Sequence, residues 1–250
     1  MRQRLYTALL AVVFSLAAVG SFADVTIKTT TLVSGPASTE VASSVYIKGA
    51  RMRTDAKVGG QDLSILVDLA TKERLMVNHG TKEVQEFDPV GSMAGMPVTV
   101  GEPTVSLKPT GEKKVVLGRN CQGFAMQVTM PMTVAGETVT LVMSGPAWIS
   151  ADAPGVAEYQ RFFKGAAEAG LNTSLMTQGP QSKGMAEMQR VLAGNGIPLD
   201  QELRVSVEGT GQVAMAMGQA AMSITNRVTE ISAAPIADDL FAVPAGYTKK

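Results

Sequence analysis

The chain has 250 residues, with 22 basic and 22 acidic side chains, one histidine and one cysteine. No basic run or stripe is present, which argues against a nucleic-acid partner and against an anionic membrane surface. The lone Cys121 rules out an internal disulfide; in an oxidising compartment such a thiol is safe when buried, so a small buried side chain is expected there.

The first segment is an address. Arg2 and Arg4 precede an almost uncharged apolar run from Leu5 to Val19, and Ser21-Phe22-Ala23 offers small residues around a cut before Asp24. This is the layout of a cleaved signal peptide over residues 1–23. The run is shorter than the ~20 apolar residues of a spanning helix, so no stable membrane span is expected after removal. What remains, residues 24–250, reads as one periplasmic domain with a net charge near −2.

Most of that domain reads as strands. Val25 to Val33 and Val45 to Thr54 are rich in Thr, Val and Ile, which suit a pleated, half-buried surface. Leu63 to Leu69 is a short apolar strand. Arg74 to Val77 and Glu83 to Phe87 flank Asn78-His79-Gly80-Thr81, a hairpin turn. Gly91 to Pro109 has weak periodicity and reads as a long loop. Then Phe124, Met126, Val128, Met130 and Met132 share one face, and Val139, Leu141 and Met143 repeat the pattern after Ala135-Gly136. Period-two alternation separates a dry face from a wet one.

Two helices follow. Asp152 with Pro154 signals a start and Gly170 a stop, with Val156, Tyr159, Phe162, Phe163 and Ala166 at helical spacing. A second runs from about Ser182 to Leu192 and places Met185, Met188 and Leu192 on one side before Gly194-Asn195-Gly196. Strand alternation returns at Leu203, Val205 and Val207 and at Met222, Ile224 and Val228. No internal repeat or linker interrupts the domain. The predicted class is α+β: a strongly curved antiparallel sheet, an incomplete barrel, whose concave apolar face is covered by the helices.

Catalytic signatures are absent. His79 sits in a predicted turn and no Gly-x-Ser-x-Gly elbow occurs, so a Ser-His-Asp nucleophile has no local pattern; a Cys121–His79 pair stays open, with nothing linking the two. One His and one Cys do not make a zinc cage, and calcium loops of EF-hand spacing are missing. Methionine is the exception, with 15 in the chain, including Met93/Met96, Met130/Met132, Met185/Met188 and Met215/Met217. Soft thioethers select Cu(I). Met130, Met185, Met188, Met215 and Met217 nevertheless fall on faces expected to be apolar, leaving Met93 and Met96 in the loop. The reading is no catalytic residue, no resident metal and no cofactor.

Flexible, polarizable methionine suits an adaptable apolar surface. The candidate cavity residues are Met126, Met130, Leu141, Met143, Phe162, Met188, Met222 and Ile224. The same residues would serve equally as a solid core.

Several short stretches resemble an exported bacterial family, the domain of unknown function 4412 family, which is similar in fold to the periplasmic lipoprotein carriers and their outer-membrane acceptors. They are Tyr46-Ile47-Lys48-Gly49 with Met52-Arg53, Val67-Asp68 with Thr71-Lys72, Gly118 with Cys121, Trp148-Ile149-Ser150, Gly196-Ile197-Pro198, and the ending from Phe241 through Val243-Pro244 to Gly246-Tyr247. The resemblance implies an incomplete barrel wrapped around helices with an apolar cavity between them, and it carries no catalytic residue. Phe241 and Tyr247 are expected to staple the C-terminus to the core. The expected function is an exported, monomeric, non-enzymatic binding protein for a lipid, a lipoprotein acyl chain or another apolar envelope molecule. The alternatives are a Met-based copper-binding or envelope-stress protein, and a structural envelope protein with a self-filled core.

Overall fold

The structure, a computed structural model, describes residues 23–35, 38–86, 98–134, 136–171, 182–218 and 222–250. Residues 1–22 of the predicted signal peptide, Phe87, Met93 and Met96 lie outside them. Six strands come first: β1 (Val25–Ser34), β2 (Thr39–Lys48), β3 (Arg51–Val58), β4 (Gln61–Asp68), β5 (Glu73–Asn78) and β6 (Glu83–Glu86). The short β7 (Val98–Val100) and three long strands follow, β8 (Thr104–Val116), β9 (Arg119–Val134) and β10 (Glu137–Ser150). Helices α1 (Val156–Glu168) and α2 (Ser182–Asn195) precede β11 (Ile197–Glu208), α3 (Gln212–Gly218), β12 (Met222–Ser232), a 3₁₀ turn at Asp238–Phe241 and β13 (Thr248–Lys249).

All the strands belong to one sheet in the order β13-β6-β5-β4-β3-β2-β1-β12-β11-β10-β9-β7, with β8 beside β7 on the same edge of β9. Every pairing is antiparallel except β13 with β6. The sheet is curved and does not close, so the predicted α+β, incomplete-barrel architecture holds at that level. Among the described residues no helix is long and apolar enough to cross a membrane.

The curvature has local causes. Register shifts fall at Lys28/Thr29, Trp148/Ile149 and Pro109/Lys113; each bulge bends its strand and raises its twist. In β10 the pairing with β11 skips Gly145-Pro146. Pro146 has no N–H to donate, and a Cβ on Gly145 would lie 1.8 Å from the Glu202 carbonyl oxygen. The backbones of β10 and β11 therefore touch where a side chain would hold them apart.

Two apolar clusters fill the inner face. One packs Tyr159, Phe162 and Phe163 of α1 against Val25 and Ile27 of β1, Ile47 of β2 and Ile65 of β4. Gly155 (φ 73°) opens α1, and any Cβ there would meet the Val25 Cβ at 2.6 Å, so glycine lets the helix start sit directly on β1. Glu158, 1% exposed, ties the helix further, accepting from the Gly49 amide at 2.5 Å and pairing with Arg161. The second cluster lies under α2 and α3, on β8 to β11.

The segment predicted as a loop over Gly91 to Pro109 is corrected: β7 and most of the first half of β8 fall inside it. β8 is an edge strand whose side chains are largely exposed, so its sequence lacks the dry-face signal that marks β9. The helix α3 was also illegible, being seven residues of Ala, Met, Gln, Val and Gly. Met215, expected on an apolar face, is 64% exposed there, and Ala214 is the buried residue.

The β8–β9 turn carries a conformational cost. Leu117 sits at φ 51°, 46% exposed, ahead of Gly118. A left-handed conformation disfavours Leu and suits Asn, so Leu117→Asn is expected to raise stability by about 1 kcal/mol in thermal unfolding. A drop instead would mean that the Leu117 side chain packs usefully.

Candidate functional site

The register builds the candidate site in rows. Opposite Met126 of β9 stand Leu107 of β8 and Gly145 of β10. Opposite Val128 stand Val105 and Met143, and Met143 in turn faces Val205 of β11. Met130 faces Leu141, which faces Val207. On β12, Met222 and Ile224 oppose Val205 and Leu203. Adjacent strands sit about 4.8 Å apart, so these side chains touch as continuous apolar rows. Met188 and Leu192 of α2 and Ala214 of α3 pack on them.

Six of the eight residues proposed from sequence meet here. Met126, Met130, Met143 and Met188 are buried, while Leu141 and Ile224 are partly buried at the margin. Phe162 is corrected: it belongs to the other cluster, because α1 lies over β1 and β2 whereas α2 lies over β8 to β11. Met222 is corrected from wall to rim. It is 37% exposed, since it begins β12 and the pairing of β12 with β1 starts only at Ser223. The side chains of Met185 and Met217 lie outside the described set.

Sequence reasoning missed Val105 and Leu107, which lay in the supposed loop, and Gln201. The clue to Gln201 was its phase: Leu199, Gln201 and Leu203 alternate as one buried face of β11. Cys121 is buried at 1% exposure in the α1 cluster, as expected, and burial pushes its thiol pKa up, away from reactive thiolate.

A polar constellation lies on the other face of β3 to β5; His79, expected in a turn, joins it through Ser64 and Tyr247, whereas Cys121 lies in the α1 cluster. Ser64 Oγ is 2.6 Å from His79 Nε2, and His79 Nδ1 is 2.8 Å from Tyr247 Oη. Ser64 also donates to Asp55 at 2.6 Å, and Arg53 donates to both Asp55 and Ser64. Arg53, Asp55, Ser64 and His79 line a groove of about 470 Å³ together with Lys28 and Lys57. A serine hydroxyl has one proton. Whether Ser64 donates to His79 or accepts from it depends on which ring nitrogen carries the proton, and Ser64 is only 1% exposed.

The constellation holds the C-terminal segment. Arg53 donates to the Leu240 carbonyl at 2.8 Å, Lys48 to that of Ile236 at 2.6 Å, and Arg51 pairs with Asp238 and stacks over the Phe241 ring. Tyr247 packs on Leu66, Leu75, Val77 and Val84, and β13 then adds to β6. This is the staple expected of Phe241 and Tyr247. Tyr247→Ala is expected to cost about 2 kcal/mol and to release protection of the Thr248 and Lys250 amides, which donate to Lys82 and Val84 carbonyls. Unchanged hydrogen exchange at those two amides would show that β13 holds without Tyr247.

No family model matches the chain and no curated protein matches it, so the resemblance to the exported family stands on its short motifs alone. Two solved structures are similar at low level. "Structure of PNGF-II in C2 space group" is 11% identical with a TM-score of 0.35, covering 91% of this chain and 31% of that one. The LolA superfamily protein NE2245 from Nitrosomonas europaea is 7% identical with a TM-score of 0.32, covering 88% of this chain and 90% of that one. The chain thus spans about a third of the PNGF-II chain. At such scores neither likeness carries an argument about what this protein does.

Proposed function

We propose that the chain is an exported, periplasmic, non-enzymatic binding protein whose methionine-lined inner face takes an apolar envelope ligand, a lipid or a lipoprotein acyl chain. The observation that carries this reading is the alignment of Met126, Met130 and Met143 in adjacent rows under Met188, with the rows opening at Leu141, Ile224 and Met222. Methionine has no branch and a polarizable sulfur, so such a surface can repack around a flexible chain. Each buried CH₂ contributes about 0.8 kcal/mol, and a long acyl group supplies enough of them to offset the cost of association. The burial of Ser64 favours a non-enzymatic reading.

Full burial of Met126 and Met130 favours a second reading, a core closed by its own side chains. Native mass spectrometry of protein purified from its own cell envelope separates the two. Co-purified lipid is expected; protein free of lipid that also fails to take up a fluorescent fatty acid or its methyl ester would leave the closed core.

A further inference from the structure

A polar band crosses the inner face between the two apolar clusters. Gln201 of β11 opposes Ala147 of β10 and Asn226 of β12, and Asn226 opposes Thr31 of β1. Thr31 donates its hydroxyl to the Asn226 side-chain oxygen at 2.7 Å, which satisfies that part of the band. Gln201 is different. It is 8% exposed, with Leu199 of one cluster and Leu203 of the other in phase on either side, and its Nε2 has no hydrogen-bond partner among the described residues.

A buried amide N–H without an acceptor is uncommon, and one facing an apolar surface asks for an acceptor from outside the chain. The acceptor has to be neutral. No cation pairs with Gln201, and a carboxylate brought there would lose its hydration without gaining a counter-charge. The carbonyl of an ester or amide meets both conditions. From Gln201 the strand runs past Leu203 and Val205 to Val207, six residues or roughly 20 Å, beside Met143 and Leu141, a length that matches an extended long acyl group.

We propose that Gln201 is the polar anchor of this face: its side-chain amide donates to the carbonyl oxygen of a neutral acyl ester or amide whose hydrocarbon lies along the rows from Leu203 to Val207. The inference rests on the acyl-binding reading of that face. It also selects within that reading, since acylated lipids and lipoproteins carry such carbonyls whereas free fatty acids at neutral pH present a carboxylate.

Three probes with one fluorophore test it on the purified exported protein: dodecylpyrene, pyrenedodecanoic acid and its methyl ester. The parent is expected to bind the ester most tightly. Gln201→Leu is expected to weaken the ester about tenfold and to leave dodecylpyrene unchanged. The ligand-free Leu variant is expected to melt no lower than the parent, because it removes an unpaired donor. A Leu variant that binds the ester like the parent, or that loses ester and hydrocarbon equally, would overturn the anchor while leaving the apolar site. A variant that melts well below the parent without ligand would make Gln201 a structural group and also overturn it. If the parent binds none of the three probes, the acyl site itself falls, and the anchor with it.

Discussion

Met143→Trp is expected to weaken fatty-acid uptake sharply while leaving the protein folded. Met143 stands at the centre of the rows, 6% exposed, between Val128 and Val205. An indole there would occupy the space that the ligand's hydrocarbon takes, so affinity for a fluorescent fatty acid should fall by about tenfold or more. Met143→Ala completes the comparison. In a closed core it should cost about 2–5 kcal/mol, through lost transfer energy and a new void. In a face adapted to an exchangeable ligand the cost should be below that range, since neighbouring methionines can move into the gap. Chemical unfolding of both variants, beside uptake measurements, decides the matter. A Trp variant that is severely destabilised by overpacking, from a parent that takes up neither a fluorescent fatty acid nor its methyl ester, would end the binding reading.

Gly145→Ala is expected to be more damaging than either, with a loss of about 4 kcal/mol or more and little soluble protein. Its Cβ would meet the Glu202 carbonyl oxygen at 1.8 Å, the Glu202 carbonyl carbon at 2.9 Å and the Leu203 Cα at 3.4 Å. All three are backbone atoms, so no rotamer change relieves the overlap and β11 has to move as a whole. That movement would carry Leu203, Val205 and Gln201 with it, so the binding face goes with the fold. Gly194→Ala is the control. It lies in α2 with nothing within 4 Å of the added Cβ, and a helical alanine should stabilise by about 0.5–1 kcal/mol. Equal effects of the two substitutions on the unfolding midpoint would show that the β10–β11 contact is looser than drawn.

What the sequence by itself determined is the set of dry faces. Alternation is written locally: in a strand every second side chain points the same way, so Met126, Val128 and Met130 had to share a side. The same holds for the helical spacing of Tyr159, Phe162 and Phe163, and burial of the lone Cys121 followed from its chemistry. Which dry face meets which is a different matter, because it depends on contacts distant in the chain. Phe162 and Met188 read alike as inward helical residues, yet register and the bulged turns of the sheet place α1 over β1 and β2, and α2 over β8 to β11. Edge strands such as β8 carry a weak pattern, since few of their side chains are buried, so Val105 and Leu107 became visible only once paired with β9. The His79 constellation joins Arg53 to Tyr247, far apart in the chain, and Gln201 shares the phase of Leu199 and Leu203 but is polar, so its place in the strand alone does not bury it. Only tertiary packing could bury it, because burial of a polar group is set by what the rest of the chain brings above it, and not by its neighbours in sequence.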